Sequence, residues 1–139
     1  MKTIISGGLL VLLLFTACGG NKKPVKTENE NGKLVYNKYC LACHQSNGSG
    51  VPGMYPSLIK TDWVQGDKSR LINILLKGLK GEMEVNGQVY KSVMPSQDYL
   101  NDEQIADVLT YIRVSFGNAA DAVSAGEVSA ARNRLDTEQ

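Results

Sequence analysis

The feature that most constrains this chain is the run Cys40-Leu41-Ala42-Cys43-His44. Two cysteines separated by two residues and followed directly by a histidine form the attachment pattern of a c-type haem. The two thiols add to the vinyl groups of the porphyrin, and the imidazole is suitably placed to ligate the iron from one face. The fold must therefore enclose one flat, apolar cofactor. The ligand on the second face separates an electron carrier from an oxygen binder or a catalyst.

The N-terminus predicts an export signal over residues 1–17. Lys2 supplies a positive start, residues 4–15 are apolar apart from three small residues, and Thr16 and Ala17 precede Cys18. The run is short for a membrane span. Residues 15–18, Phe-Thr-Ala-Cys, resemble the lipobox of bacterial lipoproteins, although phenylalanine stands where leucine is usual. We expect Cys18 to be acylated on the periplasmic side of a bacterial membrane; the alternative is a plain signal peptide.

The cysteine count agrees with a lipid anchor. The chain has three cysteines, and a disulfide framework would not explain an odd number. Two for haem attachment and one for acylation use all of them. Haem is attached to this motif outside the bacterial cytoplasm, which is where the signal would deliver the chain.

Charge gives little information about partners. Without residues 1–17 the chain loses one of its 15 basic residues and none of its 14 acidic ones, so the two signs balance. A nucleic-acid partner therefore has no electrostatic support. The composition, 42% hydrophobic and 21% charged, is that of an ordinary soluble globule with room for one domain.

Composition divides the exported part into three segments. Residues 18–31 are polar and predict a flexible tether, and Asn31 is a plausible N-cap for a helix that runs into the haem motif. Residues 32–117 form the haem domain. Residues 118–139 predict a short docked helix or a frayed tail, with a capping box from Ser124 to Glu127.

Within the domain, periodicity predicts two further helices and a hairpin. Residues 45–57 are rich in glycine and proline and predict a loop. Asp67 caps a helical pattern that runs to Leu79, with Gly81 beyond its end. Asn86-Gly87 predicts the two-residue turn of a hairpin. A last core helix follows, capped by Asn101 or Ser96 and ending near Gly117.

The second axial ligand is sought among the methionines, because His44 is the only histidine and a thioether is the remaining strong-field donor. Met1 leaves with the signal. Met54 follows His44 by only ten residues, which leaves little chain to pass around the porphyrin. Met83 lies in the first arm of the hairpin. Met94 precedes Pro95, which fixes the local backbone. We therefore favour Met94 as the second axial ligand; the alternative is that its side chain only fills the core.

Taken together, residues 32–117 resemble the class I monohaem cytochromes c. Gly32 and Tyr36 occupy the positions at which the N-terminal helix of that family crosses its C-terminal helix. Val108 and Tyr111 match the contacting positions on the C-terminal helix. The segment Val93-Met94-Pro95 resembles the motif of the distal methionine.

The same resemblance extends to the proximal side of the haem. Pro56 and Leu58 match a segment in which the proline carbonyl orients the proximal histidine and the leucine lies on the porphyrin. Trp63 is equally consistent with a place near the haem propionates or in the core, whereas Tyr90 and Tyr99 are expected to pack ordinarily.

The resemblance implies an all-α fold of three to five helices around one covalent haem c, with a small β-hairpin before the axial methionine. It implies electron transfer rather than catalysis, on a membrane-tethered domain with His44 and Met94 as iron ligands. Partners would be a terminal oxidase, a reductase or a dehydrogenase. The rival hypotheses are a five-coordinate haem peroxidase or gas sensor, and a zinc or thiol redox site on Cys40 and Cys43. The latter lacks a second metal pair and a thioredoxin-like pattern.

Overall fold

The computed structural model describes residues 25–137, with side chains from Glu30 onward. In that part of the chain, helices dominate and one antiparallel hairpin interrupts them, so the all-α prediction with a small hairpin is confirmed. Residues 25–137 form six helical segments rather than three to five, because two are single turns of four residues that periodicity does not reveal. The elements are α1 (Val25–Tyr39), α2 (Leu41–His44), α3 (Asp62–Gln65), α4 (Lys68–Lys77), β1 (Met83–Val85), β2 (Gln88–Tyr90), α5 (Asp102–Val114) and α6 (Ala125–Thr137).

Helix α1 begins earlier than the sequence predicts. It starts at Val25, so Asn31 lies inside the helix, and residues 25–31 are not a flexible tether. No glycine or proline lies between Pro24 and Gly32, and proline itself is tolerated at the start of a helix. The polar composition that suggested a linker is equally compatible with an exposed helical turn. The rest of the predicted tether, the export signal and Cys18 lie outside the described residues.

Helices α1 and α5 cross at a glycine, as the resemblance implied. A Cβ on Gly32 would collide with the Asp107 carbonyl oxygen and lie 2.6 Å from Tyr111 Cβ, so only glycine allows this approach. The fully buried Tyr36 ring packs beside it, with centroids 5.4 Å from Tyr111 and 5.3 Å from Phe116. The crossing holds the helix that leads into the haem motif against the last core helix.

Helix α4 begins at its predicted cap but ends early. The Asp67 carboxylate accepts a hydrogen bond from the Ser69 backbone N–H, as a cap should. The helix stops at Lys77 because Gly78 takes a left-handed conformation with φ of 72°. Leu79 therefore lies outside the helix and forms an antiparallel bridge with Met94. The prediction that α4 extends to Leu79 is wrong because Gly78 ends it before Gly81 does.

The hairpin and the caps of the last two helices are confirmed. Residues Asn86 and Gly87 have φ angles of 51° and 77° and form the predicted turn between β1 and β2. Asn101, rather than Ser96, caps α5 through a reciprocal capping box with Gln104.

The C-terminal segment forms a docked helix, α6, which packs against α4 and α5. The Ser124 N–H and hydroxyl donate to the Glu127 carboxylate, and Ser124 Oγ accepts from the Glu127 N–H. Val128 and Ala131 are buried against the core. Of the two possibilities in the sequence, the frayed tail is excluded for residues up to Thr137.

Two buried polar side chains, Arg113 and Asn118, hold the long loops, which have no regular secondary structure. Both bond mainly to backbone groups, which satisfies carbonyls that have no ladder or helix partner. Arg113 donates to the carbonyls of Val64, Gly66 and Asp121; Asn118 donates to those of Leu58 and Ile112 and accepts from the Lys60 N–H.

Candidate haem-binding site

An apolar cleft in the described part of the molecule ends at the haem motif. It encloses about 1220 Å³ of space, its open mouth included. The walls come from the motif, the loop after it, α3, α4, the hairpin and α5, and almost all of the side chains that line it are apolar. Several of them, such as Leu75, Val108 and Leu109, also belong to the hydrophobic core. The core is therefore one wall of a cleft suited to a flat apolar group.

The motif is folded into a single helical turn. The N–H groups of Cys43 and His44 both donate to the Cys40 carbonyl, at 3.2 and 2.9 Å. This turn brings both cysteines and the histidine to the wall of the same cleft. Neither thiol is in a disulfide, and both are half-buried. The arrangement suits two thioether bonds to one cofactor.

The Cys40 thiol is not activated for redox chemistry. Burial and, to a smaller extent, the neighbouring Cys43 together raise its pKa to about 11. Redox-active cysteines have a lowered thiol pKa and an exposed, electropositive setting. Among the described residues, no group of three or more His, Cys, Asp or Glu side chains is arranged to hold a metal ion. The environment of Cys40 thus gives the thiol redox hypothesis no support.

The His44 ring is oriented by the loop that follows it. Its Nδ1 lies 3.0 Å from the Pro56 carbonyl oxygen. A carbonyl can only accept, so Nδ1 carries the proton and Nε2 keeps its lone pair. Burial lowers the pKa of His44, and the bond to Pro56 opposes this only in part. The ring is a neutral imidazole with one nitrogen available to a metal. The structure thus brings Pro56 and His44 together as the resemblance implied.

The loop after the motif is itself well anchored. The Tyr36 hydroxyl donates to the Gln45 carbonyl at 2.7 Å, and the Leu58 N–H donates to the Gly48 carbonyl at 2.8 Å. Leu58 lines the cleft, where a side chain could lie on a bound porphyrin. These bonds fix the backbone on both sides of the segment that orients His44.

Two of the three methionines among the described residues reach the cleft. Met94 and Met83 both line it, whereas Met54 is 51% exposed and is not part of its wall. Backbone bonds hold Met94: its N–H donates to the Leu79 carbonyl at 2.9 Å, and its carbonyl accepts from the Leu79 N–H at 2.8 Å. Met83 lies on strand β1 of the hairpin.

The aromatic residues singled out in the sequence differ in role. Trp63 lines the cleft rather than the core interior, and its indole donates to the Glu84 carbonyl at 2.9 Å. The bond ties α3 to the hairpin, and the Arg70 guanidinium carbon lies over the Trp63 ring, 4.5 Å from its centroid. Tyr90 is buried as expected. Tyr99 packs edge-on against Tyr39, but at the surface, where it is 63% exposed.

Sequence reasoning missed some residues of the cleft. Thr61 is fully buried, lines the cleft and caps α3 by accepting from the Val64 N–H. A polar residue directly before an acidic one, Thr61-Asp62, is the signal that would have located this cap. Val85 and Leu79 also line the cleft, but no sequence pattern identifies them, because they arrive there through the hairpin and the bridge to Met94.

Comparison with known proteins identifies the class to which this cleft belongs. The cytochrome c family model matches residues 29–115. Two Thermus thermophilus proteins named cytochrome c-552 are 38% and 41% identical, over 78% and 64% of this chain and 72% and 70% of their own lengths. The gluconate 2-dehydrogenase cytochrome c subunit of Pantoea cypripedii is 37% identical over 76% of this chain, which spans only 24% of that protein.

An apolar cleft with two thiols and an oriented imidazole at one wall fits the haem of this family. No helix among the described residues is both long and apolar enough to cross a membrane. The chain belongs to the cytochrome c family: it is a class I monohaem cytochrome c that attaches haem through Cys40 and Cys43 and serves as an electron carrier rather than a catalytic enzyme.

Proposed function

We propose that this electron carrier ligates its haem iron with His44 and Met94. The observation that carries the proposal is that both side chains line one cleft, with His44 Nδ1 occupied by the Pro56 carbonyl. The bound haem supplies the exchange between ferric and ferrous iron. The chain supplies nitrogen and sulfur donors, and a thioether favours the ferrous state and raises the reduction potential. With both axial positions filled from the chain, no site is left for a substrate.

Carbon monoxide separates this function from the five-coordinate peroxidase or gas sensor. The ferrous holoprotein should bind carbon monoxide slowly at neutral pH, because Met94 would have to leave first. A Met94→Ala variant should bind it rapidly, and the exposed Met54→Ala variant should behave like the parent. Rapid uptake by the unsubstituted protein would favour the rival function.

We further propose that the domain is exported and held at the membrane by a lipid on Cys18. The support is the sequence: an apolar run that ends in small residues, and a cysteine that haem attachment does not use. Intact mass of the membrane-extracted protein should show acylation. A Cys18→Ser variant should be released into the soluble fraction with its haem retained. A Cys18→Ser variant that stays in the membrane would contradict the anchor.

The partners are proposed to be other redox proteins. Relatives named as cytochrome subunits of gluconate, fructose and alcohol dehydrogenases support a dehydrogenase as donor. A terminal oxidase or reductase is the proposed acceptor. Host membranes should reoxidise the reduced holoprotein, and a terminal-oxidase inhibitor should block this if an oxidase is the acceptor.

A further inference from the structure

Helix α6 carries one arginine that reaches into the region that follows Met94. The Arg132 guanidinium donates to the Asp98 carbonyl at 3.0 Å and to the Leu100 carbonyl at 2.9 Å. Its Nε donates to the Asp102 carboxylate at 3.0 Å. One planar fork thus bonds to three acceptors through three different nitrogens, whereas a lysine would donate from a single nitrogen. The cytochrome c family model ends at residue 115, so α6 is not required by the common pattern of the family.

The segment that Arg132 contacts is the methionine loop, which we define as residues 91–101. It has no helix or strand of its own. Its first half is fixed to α4 and the segment after it, through the bridge of Met94 with Leu79 and a 2.6 Å bond from the Gln97 N–H to the Leu75 carbonyl. At its far end, the loop is joined to α5 through Asn101, whose carbonyl accepts from the Ile105 N–H at 3.1 Å. Between Gln97 and Asn101 the described structure has no backbone bond to another element, because the Leu100 N–H donates within the loop, to the Gln97 carbonyl.

We infer that Arg132 is a positioning residue for the axial methionine, holding the second half of the methionine loop so that Met94 keeps its place in the cleft. This inference rests on the proposed ligation by Met94. Leu100, whose carbonyl Arg132 binds, itself lines the cleft and is 3% exposed. Release of that carbonyl would let the loop open locally while the rest of the molecule stays folded, since loops with few anchors are the least stable parts of a protein.

A purely structural role for Arg132 predicts something different. The ion pair with Asp102 is partly exposed, and pairs of that kind contribute little to stability. If Arg132 only joins α6 to α5, its loss lowers global stability and leaves the order of unfolding unchanged. If it holds the methionine loop, its loss separates loop opening from global unfolding.

Hydrogen exchange and visible spectroscopy of the holoprotein test this. In Arg132→Gln, we expect the protected amides of Gln97 and Leu100 to exchange roughly tenfold faster, as the loss of charge-assisted bonds to two carbonyls implies. The charge-transfer band between ferric iron and methionine should vanish at a denaturant concentration where the helical circular dichroism persists. Arg132→Lys keeps a charge for Asp102 without the fork, so it should show the same separation if the glutamine variant folds poorly.

Two variants serve as controls. Arg134→Gln removes an equal charge from an exposed position of the same helix, and Asp102→Asn removes the ion-pair partner while both carbonyl bonds remain. Both should exchange like the parent. Unchanged exchange in the two Arg132 variants overturns the inference whichever residue ligates iron. Faster exchange without earlier loss of the band also overturns it, because the loop would then move without Met94. Failure of the ligand assignment is separate: Met94→Ala would keep the band.

Discussion

At the crossing of α1 and α5, Gly32 is the position where the backbone leaves no room for a side chain. A methyl group there would overlap the Asp107 carbonyl and the Tyr111 Cβ. We expect Gly32→Ala to destabilise the holoprotein by about 3 kcal/mol, because rigid backbone must move apart. Thermal unfolding followed by circular dichroism measures the change.

Gly126 provides the matched control for Gly32. It lies near the start of α6, and a Cβ there would meet no atom within 4 Å. Gly126→Ala should therefore stabilise the protein, by up to about 1 kcal/mol, through helix propensity alone. If Gly32→Ala and Gly126→Ala changed stability equally, the close approach of α1 to α5 would not explain why glycine is needed at position 32.

At the scale of elements, the docking of α6 depends on charge at its first turn. Burial would raise the pKa of Glu127, but hydrogen bonds from Lys68 and Ser124 outweigh it and hold the pKa below its ordinary value of 4.5. The folded state therefore binds this proton more weakly than the unfolded one. Its stabilisation is complete above the ordinary pKa and is lost as the pH falls through the lowered one.

The corresponding prediction concerns Glu127→Gln. The amide can still cap α6, so the variant should lose only about 0.5 kcal/mol at pH 7, a value that allows for solvent screening of a partly exposed pair. The difference from the parent should disappear in acid, once the pH has fallen well below the ordinary pKa of 4.5. Denaturant titrations across this range measure it, with Asp136→Asn as a control on the same helix. A difference that persisted in acid would show that shape, not charge, matters at Glu127.

The elements were predictable from sequence where local chemistry decides them. Asn86-Gly87 specifies its turn because both residues tolerate positive φ, and Asn101 and Ser124 have their reciprocal partners three residues on. Helix ends were less predictable. The start of α1 depends on a polar stretch that suits a helix or a linker equally. The end of α4 depends on which of two glycines with positive φ, Gly78 or Gly81, stops the helix.

At the scale of the whole molecule, the core and the cofactor cleft are one structure. Residues of α4 and α5 in the core also line the cleft, so haem would cover apolar surface that is otherwise exposed to water. A Cys40→Ala, Cys43→Ala double variant, which cannot attach haem, should retain some helix but lose near-ultraviolet circular dichroism and bind an apolar dye. Cys18→Ser, which keeps both attachment cysteines, is the control. Cooperative unfolding of the double variant at the parental temperature would contradict this coupling.

The site was predictable to the extent that chemistry fixes spacing. The haem motif is set by the cofactor, and the carbonyl of Pro56 lies where the family resemblance implied. Distances between remote segments were not predictable. Sequence could not show that Met83 shares the cleft with Met94, because a hairpin folds it back, nor that Arg132 contacts the loop after Met94 from thirty-two residues away.

The central claim is the axial pair of His44 and Met94, and the most direct measurement is the ferric charge-transfer band in three matched holoproteins. Met94→Ala should keep covalent haem and lose the band. Met83→Ala, which changes the other methionine of the cleft, and Met54→Ala, which changes an exposed one, should both keep it. A band that survives in Met94→Ala, or that disappears in Met83→Ala, would contradict the assignment of Met94 as the second ligand.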